Sequence, residues 1–219
     1  MRRTAIALAL TAAAFTACSG SSIGTTPGAA AGSPTSQTTR SQATGTPTHT
    51  ESPVPVESPV PVESNPPGDI PDNTVFIPFH VAAAGLTLTT PEGWARTHTA
   101  DSVTFTDKLN TVVVSWSTAG QAPSVNSAKA NDVPSLKRST RAFQLESVQA
   151  TSLPAGPAVL ISYRANSDPD PVTGKQYRQD VLRYELYHAG KQVNLTLLSP
   201  VGADNVDPWR TITQSLKWA

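Results

Sequence analysis

Three short stretches of this 219-residue chain gather side chains able to bind or react. "SLKRSTR" places Lys137, Arg138 and Arg141 just beyond a segment with helical spacing. Cations there suit the negative end of a helix, and the same three could meet an acidic partner or an anionic wall polymer. "GADNVDPW" collects Asp204, Asn205 and Asp207. It reads as turn and capping chemistry, or as a small recognition site. "SDPDPVTGKQ" holds Asp168 and Asp170, two carboxylates in one loop. Pro169 and Pro171 interrupt the oxygen spacing of a calcium loop and no Glu closes it, so a hairpin-type connection is the better reading. His49, His80, His98 and His188 have no i, i+4 partner and no cysteine beside them, so no metal site is expected. No Gly-x-Ser-x-Gly elbow and no phosphate-cradling glycine loop occurs. The residues therefore point to no enzyme and no cofactor. The candidate binding surface is Asp204, Asn205, Lys137, Arg138 and Arg141.

One further residue carries chemistry, and its setting names it. Cys18 is the only cysteine, so it cannot close an internal disulfide. It follows Arg2 and Arg3, the apolar run Ala5–Phe15 and the small residues Thr16 and Ala17. The run is too short to span a bilayer and has the length of a signal-peptide core. The stretch resembles a bacterial lipoprotein signal peptide ending in a lipobox. That resemblance implies cleavage after residue 17, Cys18 as the mature N-terminus, and acylation (palmitate among the chains) of its sulfur and amine. Several acyl chains at ~0.8 kcal/mol per buried CH₂ would anchor the protein firmly.

Behind Cys18 the chain reads as a tether over residues 18–72. Ser, Thr, Gly, Ala and Pro dominate, and "ESPVPVESPVPVES" repeats Glu-Ser-Pro-Val-Pro-Val in tandem. Such a segment buries too little apolar surface to offset its ordering entropy and is expected to be disordered, the repeat favouring polyproline II. Formal net charge is zero, which argues against binding nucleic acid by electrostatics.

Residues 73–219 read as one folded domain. Period-2 alternation predicts strands in "LTLTTPEGW", "VTFTD", "TVVVSWS", "AFQLESVQATSL" and "PAVLISYRA", and "DVLRYELYHAGKQVNLTLLSP" predicts a hairpin turning at Ala189-Gly190-Lys191. "PSVNSAKANDVPSLKRST" is mostly helical in spacing, with Pro134 splitting it and Asp132 a cap for the second piece. In "NVDPWRTITQSLKW" Asp207 fits an N-cap and Pro208 the first helical position. Leu216 and Trp218 then alternate, as a short strand would. The fold class is α+β: an antiparallel sheet flanked by helices.

The stretches "GLTLTTPEGW", "VTFTDKLNTVVVSWS", "LPAGPAVLISYRA", "YHAGKQVNLTLLSPVGADN" and "DPWRTITQSLKW", in that order, resemble the PsbP-like fold. That fold is shared by photosystem oxygen-evolving-complex subunits, Ran-binding Mog proteins and LpqN-type lipoproteins of high-GC Gram-positive bacteria. The resemblance implies a noncatalytic binding or assembly module. With Cys18 it implies a lipid-anchored protein on the extracellular face of the cell membrane, partnered by an envelope protein or polymer. The other readings are a cell-envelope hydrolase or transferase, and a small-ligand-binding lipoprotein.

Overall fold

Alternating Val, Leu and Thr residues fit a pleated surface with one buried face, and the described residues hold ten strands. These are β1 (Phe76–Val81), β2 (Leu86–Pro91), β3 (Ala95–His98), β4 (Ser102–Asp107), β5 (Asn110–Thr118), β6 (Gln144–Leu153), β7 (Gly156–Asn166), β8 (Arg178–His188), β9 (Lys191–Pro200) and β10 (Lys217–Trp218). The computed structural model describes residues 57–64 and 68–219. The signal-peptide motif, Cys18, His49 and the first copy of the repeat lie outside the described residues. No described helix is long and apolar enough to cross a membrane.

Seven strands form one sheet in the order β3-β4-β5-β9-β8-β7-β6, and three form a second, β1-β2-β10. Every pairing is antiparallel. Alternation divides the side chains between two cores. Val112 and Val114 of β5 and Val193, Leu195 and Leu197 of β9 face the small sheet and helix α3 (Val206–Gln214). Each is fully buried, a contribution of ~1.5–3 kcal/mol apiece. On the opposite face Val159, Ile161 and Tyr163 of β7 meet a helical segment through Ala128, Val133 and Leu136. Strand β7 is covered on both faces, which is why "AVLI" reads as a continuous apolar run rather than a clean alternation.

The helical segment departs from its expectation in an informative way. It runs as α1 (Val125–Ser127), a π turn (Ala128–Asp132) and α2 (Val133–Ser139). A proline inside a helix clashes with the carbonyl four residues back. The wider π turn ahead of Pro134 relieves that geometry, with the Val133 N–H donating to the Ala128 carbonyl. Pro134 therefore divides the helix as expected, but Asp132 is not a cap. Its backbone is helical and its side chain caps nothing, because the chain never leaves helical conformation at the junction. Ser124 caps the segment instead, exchanging bonds with Ser127 at 3.1 and 2.8 Å.

Helix α3 begins two residues earlier than expected. Asn205 is its N-terminal neighbour, so Asp207 and Pro208 lie inside the first turn rather than at the cap and first position. Both remain well placed: the Asp207 charge suits the helix N-terminus and Pro208 lacks an N–H that would have no intrahelical partner. Trp209 and Ile212 point into the core, and the chain closes as the short strand β10 on β2. The β8–β9 hairpin turns at Ala189 (φ 47°) and Gly190 (φ 81°), the pair of positive φ values a two-residue hairpin turn requires. Strand β1 goes beyond the sequence reading. It carries Pro78 and is tolerated because it is an edge strand, paired only with β2.

Candidate functional site

The polar residues that matter most are asparagines at element ends, and they hold the segment leading into the domain. Asn205, just before α3, has 2% of its surface exposed. Its Nδ2 donates to the Gly68 carbonyl (2.9 Å) and to Asn110 Oδ1 (3.0 Å), and its Oδ1 accepts from the Ile70 N–H (2.8 Å). Asn110, the first residue of β5, donates to the same Gly68 carbonyl at 2.8 Å. The side-chain amide thus grips a backbone carbonyl and the N–H two residues on. Gly68 is required by close approach. A Cβ there would lie 2.7 Å from two ring carbons of Pro200 and 3.3 Å from Ala203 Cβ. A proline ring cannot swing aside, so Gly68→Ala is expected to cost ~1–3 kcal/mol of stability, read as a lowered urea midpoint.

Asn166, the last residue of β7, repeats the device. Its Nδ2 donates to the Ser58 carbonyl (2.9 Å) and its Oδ1 accepts from the Val60 N–H (3.1 Å). Arg178, buried below, donates to the same Oδ1 at 3.1 Å and to the Ala142 carbonyl at 2.8 Å, fixing which way the amide faces. Ion pairs flank this clamp. Arg141 reaches Glu57 at 2.9 Å and Asp168 at 3.2 Å, and Lys175 reaches Glu63 at 2.5 Å. The Arg141 guanidinium, with Gln176 beside it, holds the Glu57 carboxyl below its ordinary range. A lowered carboxylate contributes above its usual titration range and stops contributing as pH falls through the lowered value, so this grip belongs to neutral pH.

These contacts relocate the candidate residues. Asn205 is buried and spent on the leader, so it is not part of a surface. Asp204 is exposed and contributes its backbone N–H to Asp69 Oδ1 at 2.9 Å. Lys137 and Arg138 sit exposed in the last turn of α2, whereas Arg141 is drawn to Glu57 and Asp168. Residues 57–64 and 68–72, read as tether from composition, meet the domain through these bonds, and Ile70 is buried. Residue type alone does not single out Asn110, Asn166 and Arg178. Their only sequence signal is polarity at the end of a strongly apolar strand.

Beside the leader lies a cleft of about 750 Å³. The β4–β5 turn forms one wall through Lys108 and Leu109, the β7–β8 loop another through Asp168, Lys175 and Tyr177, and Glu63 a third. The Tyr177 hydroxyl donates to the Leu109 carbonyl at 3.3 Å, tying the two walls together. Asp170 Oδ1 accepts from Thr173 N (2.8 Å), Thr173 Oγ1 (2.9 Å) and Val172 N (3.0 Å). Those bonds, Thr173 first, lower its carboxyl below the usual value. Asp170 is thus committed to its turn. Among the described histidines, His80 Nδ1 lies 3.1 Å from Thr87 Oγ1, His98 lies beside Phe79 with ring centroids 6.4 Å apart, and His188 stacks on Trp218 at 4.8 Å.

No family model and no curated protein matches the chain. Among solved structures it is similar to cyanobacterial PsbP (CyanoP) from Synechocystis sp. PCC 6803, at 16% identity and a TM-score of 0.48, over 71% of this chain and 100% of that one. It is also similar to the Saccharomyces cerevisiae Ran-binding protein Mog1p, at 8% identity and a TM-score of 0.44, over 67% of this chain and 96% of that one. The likeness of this chain to both is one of fold.

Proposed function

We propose that the protein is a noncatalytic binding or assembly module held at the extracytoplasmic face of a cell membrane by lipid on Cys18. The observation that carries this reading is the fastening of the leader. Asn205 and Asn166 grip the backbone of the segment that runs back toward Cys18. A domain held through its N-terminal segment needs that segment secured where it meets the fold. Backbone-directed clamps secure it without demanding a large apolar surface from a Pro- and Ser-rich sequence. Binding of an envelope protein or polymer then falls to the cleft beside the leader, whose walls carry Lys108, Lys175 and Asp168.

Two experiments test this. Cys18→Ser is expected to move the protein from the membrane to the soluble fraction and to abolish acyl labelling. Retention at the membrane without label would overturn the anchor. A photo-crosslinking residue at Lys108, in cells displaying the full chain, is expected to trap an envelope component. Turnover of envelope material that is lost on a single Ser or His substitution would sink the noncatalytic reading.

A further inference from the structure

The leader track across Asn166 has the anatomy of a peptide-binding groove, and the sequence supplies its peptide twice. The seven residues Glu-Ser-Pro-Val-Pro-Val-Glu occur at 57–63 and again at 51–57, sharing Glu57. The bound copy is recognised at four points: Glu57 by Arg141, the Ser58 carbonyl and Val60 N–H by Asn166, and Glu63 by Lys175. Only Val60 can serve the middle contact, because Pro59 and Pro61 on either side have no N–H. A shift of six residues reproduces every point: Glu51 for Glu57, Ser52 for Ser58, Val54 for Val60, and Glu57 for Glu63.

The valine side chains place little restraint on this choice; Val62 is 53% exposed. Recognition rests on one backbone pair and two terminal carboxylates, which both copies carry identically. The prolines hold φ near −65° and disfavour helix at the residues before them, so either copy arrives already extended and little entropy is lost on docking. Glutamates six residues apart on such a chain stand ~19 Å apart, at about 3.1 Å per residue.

The geometry points to a two-position groove for Glu-Ser-Pro-Val-Pro-Val-Glu, occupied by residues 57–63 and, in exchange, by residues 51–57 of the same chain. Exchange leaves Gly68 and Ile70 in the Asn205 clamp and moves six residues from the outer leader into the loop between the clamps. The leader would then have two working lengths. This goes beyond the anchoring reading and does not depend on it.

The test uses the full chain labelled for NMR. Val60→Pro removes the N–H that Asn166 accepts. The Asn166 side-chain amide is then expected to keep its bound resonance positions while the Val54 amide becomes protected from exchange. Val54→Pro with Val60→Pro should vacate the groove and move the Asn166 resonances. A synthetic Ser-Glu-Ser-Pro-Val-Pro-Val-Glu-Ser peptide should restore them, and its double Glu→Gln form should bind roughly tenfold more weakly, as expected for two partly exposed ion pairs. An unprotected Val54 in the single variant overturns the proposal. So does a folded double variant that ignores the peptide. Occupancy in the single variant that rises with protein concentration would show that a second copy supplies the segment, and it would overturn exchange within one chain.

Discussion

Arg183→Ala is expected to lower the free energy of unfolding by about 3–5 kcal/mol near pH 7, and by clearly less near pH 4. Strand β8 alternates, so Arg183 and Glu185 share the face of Val181, beneath the helical segment. Glu185 is fully buried. Its Oε1 accepts from Arg183 Nε at 3.0 Å, and its Oε2 has no partner among the described residues. Burial pushes the carboxyl up from 4.5, Arg183 opposes the shift, and Asp132 at the end of the π turn adds to it. Truncating Arg183 leaves a buried carboxylate with nothing opposite it, which is the costly way to break such a pair. The pH dependence follows from the direction of the shift. A carboxyl raised in the folded state contributes stability that is fully present below its unfolded value of 4.5 and is lost as pH rises through its folded value. Without Arg183 the folded value climbs further, so wild type and variant diverge from pH 4 toward neutrality. Adding Glu185→Gln to Arg183→Ala should recover much of the loss at neutral pH. Urea midpoints at the two pH values measure this. Equal losses at both would falsify the electrostatic account and leave lost packing as the cause.

Most of the sheet was legible because hydrophobic burial on one face leaves a period-2 trace. Strands β4, β5, β8 and β9 show that trace, and the Ala189-Gly190 turn is marked by its glycine. Pro134 announced a break in the helix, since its clash with the preceding turn is a local matter of sterics. The π turn that accommodates it was not legible, because a widened turn uses ordinary helical residues such as Ala128 and Lys129. Strand β3 is exposed along its whole length, so no burial constrains its sequence to alternate. The leader shows the deeper limit. Composition judged correctly that "ESPVPVES" has little apolar surface to bury. Docking here depends on backbone hydrogen bonds to Asn166 and Asn205, and hydropathy does not register them. An asparagine in a sequence does not reveal that its partner lies 135 residues away, as Ile70 does from Asn205.

That distance makes Asn205 the residue whose loss should be felt most among the leader contacts. Asn205→Ala is expected to cost about 2–4 kcal/mol, because a buried donor or acceptor left without its partner costs ~1–3 kcal/mol. The variant strands the Ile70 N–H and the Asn110 Oδ1 together, while the Gly68 carbonyl keeps its bond from Asn110 Nδ2. Asn205→Asp is the sharper probe. Its carboxylate can still accept from Ile70, but it would face the Gly68 carbonyl and Asn110 Oδ1 with no hydrogen to donate. It should therefore recover only part of the loss, and less at neutral pH than in acid, where a protonated carboxyl can donate. Hydrogen exchange at Ile70 separates clamp loss from a general weakening of the fold. In Asn205→Ala its amide should exchange far faster than those of Leu195 and Ile161. Parallel acceleration at all three would mean that Asn205 serves the core as a whole and not the leader in particular.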